Sequence, residues 1–153
     1  MKEQAVVDKL VELGYTIASA ESCTGGMFAS TIINVPCASK VINSSVVTYS
    51  NEAKQKYCGV KEQTIEQFGV VSEQVAIEMA LGIAKESNAN VGVSFSGVAG
   101  PGGGTKETPV GTVCMAFAIN GQVQSYTKIF AGDRMEVRQK CVDFALNKLL
   151  EIL

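Results

Sequence analysis

Two residues, Asn120-Gly121, separate the runs Val110 to Ile119 and Gln122 to Phe130, both rich in β-branched and aromatic side chains. An Asn-Gly connection of that length favours the turn whose twist matches a hairpin, so these two runs pair antiparallel. Upstream, no such tight turn joins the strand-like segments Tyr15 to Ala20, Val41 to Tyr49 and Asn90 to Ser96. Helical patterns separate them instead, which calls for parallel pairing by crossover.

The helical segments read as follows. Val6, Val7, Leu10, Val11 and Leu13 recur at helical spacing and end at Gly14. Thr24 is placed to cap a helix carrying Met27, Phe28, Ile32 and Ile33 that stops near Pro36. Asn51 caps a short helix ending at Gly59, and Ser72 caps one striped by Val75, Ala76, Met79, Ala80, Ile83 and Ala84. Asp133 opens a last helix with Val137, Cys141, Phe144, Ala145, Leu149 and Ile152 inward. The sum is an α/β fold, a three-layer α/β/α sandwich around a mixed five-stranded sheet, with residues 1–153 as a single domain.

Composition narrows function mostly by exclusion. The 153 residues contain no histidine, and the five cysteines form no C-x-x-C pair. Histidine acid–base chemistry, Ser-His triads and His-metal sites are thereby excluded and a structural zinc site is not expected; the Ser–Lys acyl transfer considered below needs neither metal nor organic cofactor. A net charge of −2 with dispersed Lys and Arg implies no nucleic-acid partner and no membrane surface. Acidic residues break up the N-terminal apolar pattern, and the longest apolar run is too short to span a bilayer, so a cytoplasmic location is expected.

Ligand sites in such folds lie on loops beyond the strand ends, and three loops stand out. Residues 20–26 read AESCTGG, a strand end followed by two glycines at a helix start. Ser22 is the candidate nucleophile, with the N–H groups of Thr24, Gly25 or Gly26 holding the oxyanion. Cys23 is the more reactive atom, but a catalytic cysteine usually relies on histidine. A serine without histidine leaves lysine as the base, as in Ser–Lys pairs. Residues 48–54, TYSNEAK, supply Lys54 in the first turn of a helix, where the positive helix end and desolvation both disfavour its charge. Tyr49 is placed to orient Lys54 or relay a proton.

The third loop, 97–109, holds five glycines and two prolines. It lacks the G-K-[ST] of a phosphate-binding P-loop, and Thr105 stands where the last glycine of G-x-G-x-x-G belongs. Its backbone N–H groups remain suited to an anion. Arg134 and Arg138, four apart on the last helix, are placed to bind a phosphate bidentately.

Together AESCTGG, VVTYSNEAK, FGVVSEQVAIEMA, SGVAGPGGG, PVGTV and AGDR resemble the CinA C-terminal domain family, over about residues 5–150 and in the family's order. Within that family they are most similar to the stand-alone nicotinamide-nucleotide amidases. The resemblance implies hydrolysis of the carboxamide of nicotinamide mononucleotide (NMN) to nicotinic acid mononucleotide and ammonia, in pyridine-nucleotide salvage. It implies Ser22 as nucleophile, Lys54 as base and Tyr49 beside them. The candidate substrate-binding residues are Thr24, Gly25, Gly26, Asn51, Ser96, Gly97, Gly100, Gly102, Gly103, Gly104, Thr105, Arg134 and Arg138. It also implies a homo-oligomer, a dimer by expectation. Two positions depart from the family pattern: Thr108 stands where Lys often precedes Pro-Val-Gly, and Gly102 where Asp often follows Gly-Pro. The alternatives are a non-catalytic nucleotide-binding or interaction module tied to competence or DNA damage, and an amidase acting on another carboxamide.

Overall fold

A computed structural model describes residues 1–153. The element order is α1 (Lys2–Leu13), β1 (Ile17–Glu21), α2 (Met27–Ile33), β2 (Val46–Val47), α3 (Asn51–Cys58), α4 (Glu62–Phe68), α5 (Glu73–Glu86), β3 (Val91–Gly97), β4 (Thr112–Ile119), β5 (Gln122–Ile129) and α6 (Arg134–Ile152). The strands form one sheet in the order β2-β1-β3-β4-β5. β1 runs parallel to β2 and β3, while β3, β4 and β5 are antiparallel neighbours. The mixed five-stranded sandwich expected from the Asn120-Gly121 turn is present.

Strand alternation divides the side chains by size. Ile17, Val91, Val93, Phe95, Val113, Met115 and Phe117 face one side and pack with buried residues of α1, α2 and α6. The opposite side carries small residues: Ala18 and Ala20 meet Met79 and Ile83, and Ala116 and Ala118 meet Ala76 and Ala80. A sheet face of alanines lets α5 lie close against the strands. A Cβ at Gly92 would stand 2.1 Å from the Ala80 carbonyl oxygen, and one at Gly82 would stand 1.7 Å from that of Cys58. Neither position has room for a side chain, and the second contact draws α3 onto α5.

Four boundaries differ from the sequence reading. The strand expected over Val41–Tyr49 shrinks to Val46–Val47, preceded by a 3-10 turn over Ala38–Lys40 and a single bridge between Ile17 and Ile42. The Ser45 hydroxyl accepts the Ser19 N–H at 3.2 Å, so a side chain replaces ladder pairing there. α2 begins at Met27 with Gly26 as its N-cap, not at Thr24. α3 is capped by Ser50, whose hydroxyl accepts the Ala53 N–H at 3.0 Å, so Asn51 is its first helical residue. α4 was not anticipated; its only buried residue is Thr64, and a helix without an apolar stripe leaves no periodic signal. The last helix agrees with expectation, and Asp133 and Glu136 close a capping box at its start.

Candidate active site

The parallel strands β1, β2 and β3 deliver three loops to one edge of the sheet, and a cavity of about 180 Å³ opens between them. Ser22 and Cys23 come from the turn after β1, and Tyr49, Asn51 and Lys54 from the segment leading into α3. Ser96, Gly97 and Ala99 come from the end of β3, Arg134 from α6, and Val70 and Val71 from the approach to α5.

Register places Ser22 against α3. Glu21 pairs with Val47, and the Thr48 N–H donates to the Glu21 carbonyl at 3.0 Å, which brings residues 22 and 48 alongside each other. Lys54 then reaches back from the first turn of α3. Its Nζ lies 3.1 Å from Ser22 Oγ, 2.8 Å from the Thr48 carbonyl oxygen and 3.3 Å from that of Tyr49. Lys54 is 1% exposed and makes no salt bridge. Burial holds its pKa below the usual lysine value, and the nearby Cys23 and Cys58 thiols oppose that only in part. Two of its three partners are carbonyls, which only accept, while the third is a hydroxyl that also donates. A neutral amine with two N–H bonds and one lone pair satisfies all three at once.

The oxyanion donors differ from expectation. The N–H groups of Phe28 and Ala29, in the first turn of α2, donate to the buried Glu21 carboxylate at 2.9 and 3.0 Å. The Gly25 N–H donates to the Ser22 carbonyl at 3.1 Å. The N–H groups of Cys23, Thr24 and Gly26 take no oxygen of the chain as acceptor, but Thr24 is wholly buried, and of the three residues Cys23 is the one on the cavity wall. Of the turn amides expected to hold an oxyanion, that of Gly25 is already bonded, and Thr24, Gly25 and Gly26 all lie outside the cavity wall.

Cys23 contributes to the cavity wall as a free, buried thiol; the neighbouring Cys141 thiol on α6 holds its pKa below the usual thiol value, while that of Cys141 is raised. Ser22, rather than Cys23, holds the lysine amine.

The remaining candidates separate into three groups. Asn51, Tyr49 and Arg134 are exposed wall residues and so form the mouth of the cavity. Tyr49 touches Lys54 through its backbone; its hydroxyl accepts from Arg134 at 3.1 Å and sits in no proton path from the lysine. Arg134 also donates to the Gly100 carbonyl at 2.7 Å, linking the third loop to the second. Ser96 is on the wall, with its hydroxyl donating to the Val70 carbonyl at 2.8 Å. Arg138 does not stand ready for a phosphate beside Arg134: it donates to the Cys23 and Thr24 carbonyls at 2.9 and 3.0 Å, clamping the turn that carries Ser22. Gly102, Gly103, Gly104 and Thr105 are exposed and outside the wall. Sequence reasoning missed Glu21, Val70, Val71 and Ala99. Glu21 stood in plain view beside Ser22, but only the fold shows which amides it meets.

The CinA C-terminal domain model matches residues 1–153. The chain belongs to the CinA C-terminal domain family. Among its relatives, a CinA-like protein from Kosmotoga olearia is 48% identical over 145 residues, 95% of this chain and 35% of that protein. A CinA-like protein from Fervidobacterium nodosum is 46% identical over 144 residues, 94% of this chain and 35% of the relative. The CinA-domain chain thus spans about a third of the length of the curated relatives it matches. Solved CinA-superfamily structures share the fold. One from Escherichia coli gives a TM-score of 0.96 at 38% identity, covering 99% of this chain and 88% of that one. The competence/damage inducible protein CihA from Agrobacterium tumefaciens gives 0.95 at 38% identity, covering 98% and 92%. No helix of this CinA domain is long and apolar enough to cross a membrane.

Proposed function

We propose that this CinA domain is an amidohydrolase that cleaves the carboxamide of nicotinamide mononucleotide through a Ser22–Lys54 pair. The carrying observation is the 3.1 Å contact between Lys54 Nζ and Ser22 Oγ, made by a lysine that is buried, has no carboxylate partner and has a lowered pKa. A neutral Lys54 takes the hydroxyl proton as Ser22 attacks the carboxamide carbon. The Cys23 N–H, on the cavity wall and bonded to no oxygen of the chain, receives the oxyanion. The proton passes from Lys54 to the leaving nitrogen, ammonia departs, and water hydrolyses the acyl-enzyme by the same base.

The cavity volume of about 180 Å³ supports a small reacting head. Ligand pockets usually run to roughly 300–1,000 Å³. A planar ring bearing the amide fits between the apolar Val70, Val71 and Ala99. The ribose phosphate then lies at the mouth, near Asn51 and the Arg134 guanidinium. The deciding experiment is ammonia release from NMN with identification of the acid product, for wild type beside Ser22→Ala. Turnover lost in the variant supports the assignment. NMN binding without ammonia favours a binding module, and turnover of a different carboxamide changes the substrate.

A further inference from the structure

Glu21 is a wholly buried carboxylate one residue before the nucleophile, and no basic side chain bonds to it. Its oxygens accept from the Phe28 N–H at 2.9 Å, the Ala29 N–H at 3.0 Å and the Ser19 hydroxyl at 2.9 Å. Strand alternation turns Ser19 and Glu21 toward α2, while Ser22 faces α3 and Lys54. Glu21 therefore has no route to substrate, and Lys54, through the sheet, takes none of its charge.

The geometry points to Glu21 as the positioning residue of the Ser22 turn. Its side chain ties residue 21 to residues 28 and 29, the two ends of the loop that carries Ser22. Arg138 grips the middle of the same loop by the Cys23 and Thr24 carbonyls. In a trans peptide the N–H points away from its own C=O. The grip on the Cys23 carbonyl thus directs the Thr24 N–H, while Glu21 sets where the loop begins and ends. A second effect follows from chemistry alone: with Glu21 holding the amides of Phe28 and Ala29, an anion in the site meets the Cys23 amide instead. The role depends on reach, because the carboxylate must span to both amides. It rests on the reading of Ser22 as the nucleophile.

The test uses a fluorophosphonate probe, which reports serine nucleophilicity and oxyanion geometry without reference to any carboxamide. Labelling rates are measured across pH for wild type, Glu21→Gln and Glu21→Asp, with the labelled residue located by peptide mass mapping. Gln keeps the size but turns an N–H₂ toward one amide, and Asp keeps the charge but is one methylene short. Both variants are expected to label Ser22 about 10- to 100-fold more slowly, as for catalytic groups displaced by about an ångström. The pH midpoint, which belongs to Lys54, is expected to stay where it is. Where Glu21→Gln fails to fold, Glu21→Asp decides. Wild-type rates in Glu21→Asp overturn the assignment, as does a shifted pH midpoint, which would mean that Glu21 acts on Lys54 as a charge. A wild-type chain unlabelled at Ser22 overturns both the nucleophile and Glu21's role. Labelling of wild type with slowed variants, but no ammonia from NMN, removes the substrate and leaves Glu21 supported.

Discussion

Lys54 Nζ rests 3.1 Å from Ser22 Oγ, and its other two contacts are the main-chain carbonyls of Thr48 and Tyr49. The carbonyls orient the amine without supplying a negative charge. A carboxylate in their place would raise the lysine pKa and hold it protonated. The arrangement therefore suits a base rather than an ion pair.

Replacement of Lys54 tests that distinction. Lys54→Ala and Lys54→Arg are both expected to lower kcat by about 100- to 10,000-fold, the usual contribution of a general base. Arginine keeps the charge but cannot be deprotonated. Ammonia release by Lys54→Arg at more than a tenth of the wild-type rate would point to another base.

The pH dependence has a definite sign. Burial holds the folded pKa of Lys54 below the ordinary lysine value of the unfolded chain, so between the two the unfolded chain binds the extra proton. Stability contributed by this group is present above the unfolded value and is lost as pH falls toward the folded one. Urea midpoints are expected to rise with pH across that window in wild type, and Lys54→Met is expected to flatten this part of the slope. Activity should fall as pH drops through the same folded pKa.

Arg138 and Arg134 predict different kinetic signatures. Arg138→Lys loses the fork that holds the Cys23 and Thr24 carbonyls, so kcat is expected to drop about 10-fold or more with KM little changed. Arg134→Ala frees Tyr49 and Gly100 at the mouth and is expected mainly to raise KM. Steady-state kinetics on both variants check the contrast.

A methyl group at Gly82 has no space, since its Cβ would stand 1.7 Å from the Cys58 carbonyl oxygen. Gly82→Ala must push α5 from α3, at an expected cost of about 1–3 kcal/mol as for other overpacked sites. Denaturant unfolding measures it. Because α3 carries Lys54, ammonia release should fall in parallel, although Gly82 is not on the cavity wall.

Much of the scaffold was legible from local pattern. The Asn120-Gly121 turn, the Ser72 and Asp133 caps and the α5 stripe each act over a few residues, so their signals survive in a linear sequence. β2 was read too long because Ser45 satisfies Ser19 through a side chain, a contact across 26 residues that no local pattern records. α4 leaves no periodic apolar signal because its one buried residue is Thr64, which with the Lys61 N–H donates to Glu78.

The site divides along the same line. The sequence by itself determined the chemical vocabulary: no histidine, a serine before two glycines, and a lysine in a first helical turn. Only the tertiary structure decided who meets whom. It turned Ser22 toward Lys54 and Glu21 toward α2, because neighbouring strand residues face opposite sides of the sheet. It assigned Arg138 to two carbonyls and the Phe28 and Ala29 amides to Glu21, because hydrogen-bond partners are fixed by which elements pack together, not by spacing along the chain.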